Sequence, residues 1–318
     1  MVTGASGFVG RALVRELASQ GTLVRGVVRA PAGVSNPGPG VSYHQVEDID
    51  GNTSWQEPLA GAEVVVHCAA RVHVMHDDAT SPLAAFRVLN RDGTLNLARQ
   101  AAEAGVRRFV FISSVKVNGE QTDNRGPFEV DESPAPEDAY GISKREAEDG
   151  LRELAKETGM EVVIIRPPLV YGPGVKGNFR SLLKLARLPV PLPFGAIDNR
   201  RSLVYVGNLV DFICVASEHP SAANQTFLVS DGDDVSTTRL LQLMRTALGR
   251  RPLLMPVPPA LFRAAGALTG KRSLVQRLCG SLQVDIARAR WLLGWQPPFT
   301  MQQGLASTVN EHLRADSR

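Results

Sequence analysis

The chain has 318 residues, 43% hydrophobic and 21% charged, which suits a packed core and excludes a disordered polyelectrolyte. A net charge of +3, 6% aromatic content and no dense Lys/Arg run exclude a nucleic-acid stripe or base-stacking platform, so no nucleic-acid partner is expected. Cys68, Cys214 and Cys279 are too scattered for a disulfide framework or a cysteine metal site, no apolar run reaches the ~18 residues of a membrane span, and no signal peptide is seen; a reducing, cytoplasmic setting is expected.

The chain opens "MVTGASGFVG", with Gly4, Gly7 and Gly10 spaced G-x-x-G-x-x-G. Such a triplet provides a tight turn, close backbone approach to a pyrophosphate and close helix packing, and the helix that follows turns its N–H groups toward the phosphates. A stripe of Val9, Leu13 and Leu17 predicts that helix. Only Met1, Val2 and Thr3 precede Gly4, whereas a central strand needs about five residues. A few apolar residues are therefore expected upstream in the natural product.

Apolar runs at 22–28, 41–46, 62–68, 107–114 and 160–166 predict strands. Between them, Leu95, Ala98 and Ala102 form a helical stripe ended by Gly105, and a second helix is predicted from about Asp138 to Thr158, ended by Gly159. Nearly all-apolar strands alternating with helices predict an α/β fold: a Rossmann-like, doubly wound parallel sheet covered on both faces. The end of the second strand usually carries an acid that holds the free ribose hydroxyls of NAD. Arg29 stands there, and a guanidinium suits a 2′-phosphate, so NADP(H) is favoured and NAD(H) remains possible. Asp48, after the third strand, either meets the adenine amino group or is a loop residue.

The fifth strand ends in Ser113 and Ser114, where ligands sit in open α/β sheets. "YGISK" then puts Tyr140 and Lys144 four apart on one helix face. A phenol with a pKa near 10 is a poor base at neutral pH. An ammonium about 4 Å away favours phenolate by up to ~4 kcal/mol at an effective dielectric of 20, and an oxidised nicotinamide adds to this. The pair can move a proton on or off a carbinol oxygen.

After Arg166 the stretches "RPPLVYGPGVKGNF" and "RLPVPLPFGAIDNR" are Pro- and Gly-rich and are expected to be irregular loops. Residues 1–166, with 200–223 returning, are expected to form the dinucleotide-binding domain. Residues 167–199 and 224–318 are expected to form a smaller C-terminal α/β substrate domain. The apolar stretch 257–270 is expected to be a packing or interface helix rather than a membrane contact. His73 and His76 lack a third ligand, and no metal is expected.

Taken together, "TGASGFVG", "VVHCAA", "LNRDGTLNL", "SSVKVNG", "YGISK", "SLVYVGNLVDF" and "LLGWQPPFTMQQGL" resemble the extended short-chain dehydrogenase/reductases of the nucleotide-sugar epimerase/dehydratase family over nearly the whole chain. The resemblance implies Ser114, rather than Ser113, as the catalytic hydroxyl beside Tyr140 and Lys144. It implies a cofactor site of Gly4, Ser6, Gly7, Phe8, Val9, Gly10, Arg29, Asp48, Ile49, Cys68, Ala69, Ala70, Asn90, Ser113, Tyr140, Lys144 and Pro167. It places Ser114, Asn178 and Arg201 on a UDP-sugar substrate and implies a homodimer through the helix of Tyr140.

Dehydratases of this family carry Asp-Glu after the catalytic hydroxyl; here Val115 and Lys116 stand there, so elimination is not expected. Lys116 also departs from the Glu that related decarboxylases usually keep. Asn118 replaces a common Tyr, Asn208 replaces a common Asp, and Arg277 is the nearest candidate for a C-terminal substrate Arg. "SSVKVNGE", "AARVHVM" and "GSLQVD" resemble bacterial reductases of UDP-4-keto-6-deoxy-N-acetylhexosamines in O-antigen biosynthesis. C4 keto-reduction is therefore the leading expectation. UDP-glucose or UDP-N-acetylglucosamine 4-epimerisation is the alternative, and reduction of an apolar flavonol- or steroid-type carbonyl the second.

Overall fold

The apolar strands build one sheet because successive side chains point to opposite faces and both faces find a cover. A computed structural model describes residues 1–30, 38–72 and 81–316. Its strands are β1 (Val2–Thr3), β2 (Val24–Val28), β3 (Val41–Gln45), β4 (Val64–His67), β5 (Arg108–Ile112), β6 (Glu161–Arg166), β7 (Leu169–Tyr171), β8 (Leu203–Tyr205) and β9 (Thr226–Leu228). Its first helices are α1 (Phe8–Ser19), α2 (Gln56–Leu59), α3 (Pro82–Arg87), α4 (Thr94–Glu103), α5 (Ala139–Thr158) and α6 (Gly177–Ala186). They are followed by α7 (Val206–Glu218), α8 (Thr237–Ala247), α9 (Pro259–Leu268), α10 (Arg272–Cys279), α11 (Ala287–Leu293) and α12 (Met301–Asp316).

Seven parallel strands run in the order β3-β2-β1-β4-β5-β6-β9. The chain crosses from one half to the other between β1 and β4, so a crevice opens at their carboxyl ends. The period of two is visible in the packing. Val110, Val163 and Ile165 join the core under α1 and α7, while Phe109, Phe111, Val162 and Ile164 join the core under α4 and α5. Each such side chain contributes on the order of 1.5–3 kcal/mol on burial.

β1 is short for a central strand, with two residues paired on both sides: Val2 with Gly26 and Val66, Thr3 with Val27 and His67. The Met1 amine donates to Val64 O at 2.8 Å, and Met1 O accepts from Val66 N at 2.9 Å.

The α5 boundaries follow their local chemistry. Asp138 Oδ1 accepts from Gly141 N at 2.7 Å and caps the start, and Gly159 ends the helix at φ +75°. The expectation of irregular loops after Arg166 is corrected in part. Leu169–Tyr171 forms β7, paired in parallel with β8, and α6 follows at Gly177. Pro167 and Pro168 lie before the strand, and Gly172, Gly174 and Gly177 take the positive φ turns that separate strand from helix. Tyr171, Phe179, Leu183, Leu203, Leu241 and Met244 form a third core around β7, β8, α6 and α8.

Candidate active site

The glycine loop is shaped by close approach. Gly4 has φ +64°, and a Cβ there would lie 2.8 Å from Ala69 N. A Cβ on Gly10 would lie 2.2 Å from Gly4 O, so the turn tolerates no side chain at either place. Gly7 is the N-cap of α1 and has no side chain to cap it; this uncapped N-terminus faces the crevice as a site for an anionic phosphate. A dinucleotide pyrophosphate fits this cradle, with Ser6, Phe8 and Val9 on the same turn.

The parallel register brings the other candidate residues to the same edge of the sheet. Thr3 aligns with His67, His67 with Phe111, and Phe111 with Ile164. Gly4, Cys68 to Ala70, Ser113 to Ser114, and Pro167 therefore follow neighbouring strand ends in a row. Val115 N donates to Pro167 O at 3.0 Å, which fixes the serine segment to the proline. Asn90 lies in a π-helical turn, Val88–Gly93, and is fully buried. Its side chain accepts from Arg71 N at 2.8 Å and donates to Arg71 O and Ser143 Oγ, each at 3.0 Å, clamping the loop after β4 to α5. Gly93 lets Ile49 close on this turn, since a Cβ there would lie 2.8 Å from Ile49 O.

A second buried chain runs beneath the glycine loop. Thr94 Oγ1 gives its proton to Asn90 O at 2.8 Å, so it accepts from His67 Nε2 at 3.0 Å. His67 Nδ1 then accepts from Thr3 Oγ1 at 2.7 Å, and Thr3 Oγ1 accepts from Ala69 N at 3.3 Å. Burial, helped by the Lys144 charge, pushes the His67 pKa down to about 3, which agrees with a neutral ring.

Ser114 and Tyr140 are hydrogen-bonded through their side chains. Ser114 Oγ also accepts from Lys116 N at 3.2 Å, and the Tyr140 ring packs edge-on against Phe86. Lys144 is 1% exposed; its Nζ donates to Ile112 O at 2.8 Å and sits 4.3 Å from the centre of the Phe111 ring. Lys144 is thus held under the site, but its effect on Tyr140 differs from the sequence expectation. Burial pushes the phenol up to about 12; the Asp138 carboxylate adds to this, and the Ser114 hydrogen bond opposes it. Burial also brings Lys144 down to about 7, against a smaller upward pull from the Glu148 carboxylate, so its charge is itself marginal at neutral pH. Burial raises the Cys68 thiol to about 12 and keeps it protonated.

A stability prediction follows from Lys144. The unfolded chain holds this proton up to about pH 10.4, and the folded chain releases it near 7. The penalty is full below pH 7 and fades as pH rises toward 10. In Lys144→Met, stability relative to wild type should be highest at pH 6–7 and fall steadily to pH 10 in urea titrations. A pH-independent difference contradicts this.

Sequence reasoning missed the ion network behind the serines. Glu148 and Arg166 are both buried. Arg166 donates to Glu148 through Nε (2.9 Å) and Nη2 (2.6 Å), Ser113 Oγ donates to Glu148 at 2.6 Å, and Arg152 Nη2 donates to it at 2.9 Å. Arg166 Nη1 reaches Asn118 Oδ1 at 3.0 Å, and Asn118 Nδ2 donates to Glu129 O at 2.9 Å. Asn118, the replacement for a common Tyr, thus belongs to this network. The available signal was Glu148 four residues after Lys144 on one helix face, and an Arg closing the apolar run 162–165 of β6. Asn208 also has a physical reason: it donates to Asp231 Oδ1 at 2.7 Å, where a second carboxylate would be repelled, and it accepts from Phe299 N at 2.9 Å. Lys116 Nζ is tied to Glu120 at 2.7 Å and to Asp138 at 2.5 Å, so it anchors the start of α5.

The remaining candidates are more peripheral. Arg29 and Asp48 are exposed beyond β2 and β3. Asn178 is exposed on the first turn of α6. Arg201 is half-buried, and its Nη1 donates to Arg277 O at 3.1 Å and Gly280 O at 3.0 Å, so it holds the end of α10. Arg277 offers only its carbonyl to this contact, and its side chain is exposed. His73 and His76 lie outside the described residues. Among the described residues, no cluster of three His, Cys, Asp or Glu is arranged to hold a metal.

Residues 1–230 match the model of the NAD dependent epimerase/dehydratase family. The chain belongs to that family. Within it, the chain is 49% identical over 320 residues to a UDP-glucose 4-epimerase of Vibrio cholerae, covering 100% of this chain and 96% of the relative. It is 29% identical to an N-acetyl-alpha-D-glucosaminyl-diphospho-ditrans,octacis-undecaprenol 4-epimerase of Escherichia coli O157:H7, over 97% of this chain and 93% of the relative. The fold superposes on a UDP-glucose 4-epimerase of Thermotoga maritima solved with UDP-glucose, with a TM-score of 0.77, 23% identity and coverage of 99% and 98%. As a member of the epimerase/dehydratase family, the protein is an NAD-dependent nucleotide-sugar enzyme of the extended short-chain dehydrogenase/reductase type, with the expected Rossmann-like sheet.

Proposed function

We propose that this enzyme interconverts UDP-hexoses at C4. The observation that carries this reading is the full-length, 49% identity to the Vibrio UDP-glucose 4-epimerase, and it reverses the order of the two leading expectations. The geometry supports carbinol chemistry at that carbon. The C4 oxygen would lie between the Ser114 hydroxyl and the Tyr140 phenol. Tyr140 takes the hydroxyl proton as the sugar is oxidised and returns it after the 4-keto sugar has turned over. Ser114 hydrogen-bonds the oxygen throughout, and hydroxyl donors aimed at a developing alkoxide are a large electrostatic contribution. A bound nicotinamide supplies the hydride acceptor and donor. Its oxidised form would also bring a positive charge toward a phenol that burial holds near 12 and that Lys144, itself brought down to about 7, does not lower. Gly4, Gly7 and Gly10 cradle the pyrophosphate, and Asn178 and Arg201 are proposed to contact the UDP diphosphate.

The second reading is reduction of a UDP-4-keto-6-deoxy-N-acetylhexosamine by NADPH in surface-polysaccharide synthesis. Arg29 favours it, since an exposed guanidinium stands where an acid would select NAD. The same Ser114 and Tyr140 would then serve one proton donation per turnover. Purified enzyme incubated with UDP-glucose or UDP-N-acetylglucosamine, without added cofactor, separates the two. Appearance of the C4 epimer by NMR supports the first reading. No epimer, with NADPH consumed on the 4-keto sugar, replaces it with the second. Arg29→Asp is expected to weaken NADPH binding at least tenfold more than NADH; equal effects remove Arg29 from the cofactor site.

A further inference from the structure

Eight of the 35 Lys and Arg residues stand between Val235 and Val284, and none of the 32 Asp and Glu residues does. The chain's net charge of +3 therefore comes from this stretch, and the remainder is net acidic. The same stretch carries an unpartnered apolar surface. In α9, Leu261 is 59% and Leu268 is 89% exposed, and only Gly266 is fully buried. Gly266 is where α10 closes on α9, since a Cβ there would lie 2.5 Å from Val275. Leu274 continues the surface onto α10. On the other side, the Phe262 ring stacks on Phe194 at 5.4 Å, joining α9 to the short ladder between Leu192 and residues 253–255. Leu253 and Met255 point outward there. Arg263, Lys271 and Arg272 are exposed among these apolar side chains.

We infer that the α9–α10 face docks on an anionic phospholipid surface, with α9 lying in the headgroup plane. Apolar side chains interleaved with cations suit that interface; neither α9 nor α10 contributes an acid, and the one described carboxylate hydrogen-bonded to α10, Asp123, is held by Gln276 Nε2 and Ser281 N at its far end. A second copy of this chain is the poorer occupant, because a two-fold contact would set one cationic face against another. No described helix is long and apolar enough to cross a membrane, so the contact is peripheral. The face is tied to the proposed substrate arm: Asn199 Nδ2 donates to Leu278 O at 3.2 Å and Gly280 O at 2.8 Å, and Arg201 holds the same turn. The inference stands whichever C4 reaction the site performs.

The test is flotation of the full-length protein with vesicles. Wild type is expected to float with phosphatidylcholine vesicles containing phosphatidylglycerol at least ~10-fold better than with phosphatidylcholine alone, and to be released by high salt. Leu261→Ser with Leu268→Ser, and separately Arg263→Glu with Lys271→Glu, should each lose at least ~10-fold of that binding while dinucleotide binding is kept. Two results overturn the inference. One is vesicle binding that is absent in wild type or unchanged in both variants. The other is a wild-type oligomer that the Leu261/Leu268 variant dissociates, which would mean a second copy covers the face.

Discussion

Tyr140→Phe is expected to lower kcat on the nucleotide sugar by about 10²–10⁴-fold, the range attributed to a positioned acid or base. The change removes one oxygen and keeps the ring against Phe86. Stability and dinucleotide affinity should therefore stay near wild type. The loss should lie in kcat more than KM, because the hydroxyl matters most where charge develops on the C4 oxygen. A variant that retains activity within a few-fold of wild type would remove Tyr140 from the chemistry. The pH profile is informative as well. With burial holding the phenol near 12 in the protein alone, phenolate absorbance should show Tyr140 titrating at lower pH once the oxidised dinucleotide is added.

The largest effect on stability is expected from Glu148→Gln. Arg166 is 2% exposed, and two of its hydrogen bonds end on the Glu148 carboxylate. Removing the negative charge leaves a buried guanidinium uncompensated, a change that typically costs about 3–5 kcal/mol. Burial works against the ionised carboxyl, but Arg166, Ser113 and Arg152 outweigh it and hold its pKa below the usual value. The carboxylate's contribution is therefore fully present above about pH 4.5 and is lost as pH falls through the lower folded value. The deficit of the variant should be largest near neutrality and shrink in acid. A urea titration at pH 7 that puts it within about 1 kcal/mol of wild type would refute the network's role. Exchanging both residues for Met should recover much of the loss, since the orphaned charge is then gone.

The sheet and the catalytic helix were legible because their signals are local. Apolar runs of strand length marked β2 to β6, and Asp138 and Gly159 carried the cap chemistry that bounds α5. Gly4 and Gly10 were legible as a pair because the backbone crowding at both excludes every larger residue. β7 was not legible: three strand residues between prolines and glycines carry no period, and their partner β8 lies more than 30 residues away. The Glu148–Arg166 pair was hidden for a related reason. Each residue alone looks like a solvated charge, and only the packing of α5 on β6 brings them together. The lowered Lys144 pKa was equally out of reach, because it depends on how completely Phe111 and Ile112 close over the amine. The acid-free stretch from Val235 to Val284 was overlooked in the sequence, because its meaning depends on α9 packing through Phe262 and Gly266 while Leu261 and Leu268 stay exposed.

The central claim is that Ser114, Tyr140 and Lys144 serve hydride movement at C4 of a UDP-hexose. Substrate carrying deuterium at C4 tests it most directly. The account expects the label to remain on C4 in both epimers, with no washout into solvent, and the Tyr140→Phe enzyme to slow its appearance in the product. Loss of the C4 label to water, or inversion at a carbon other than C4, would contradict it.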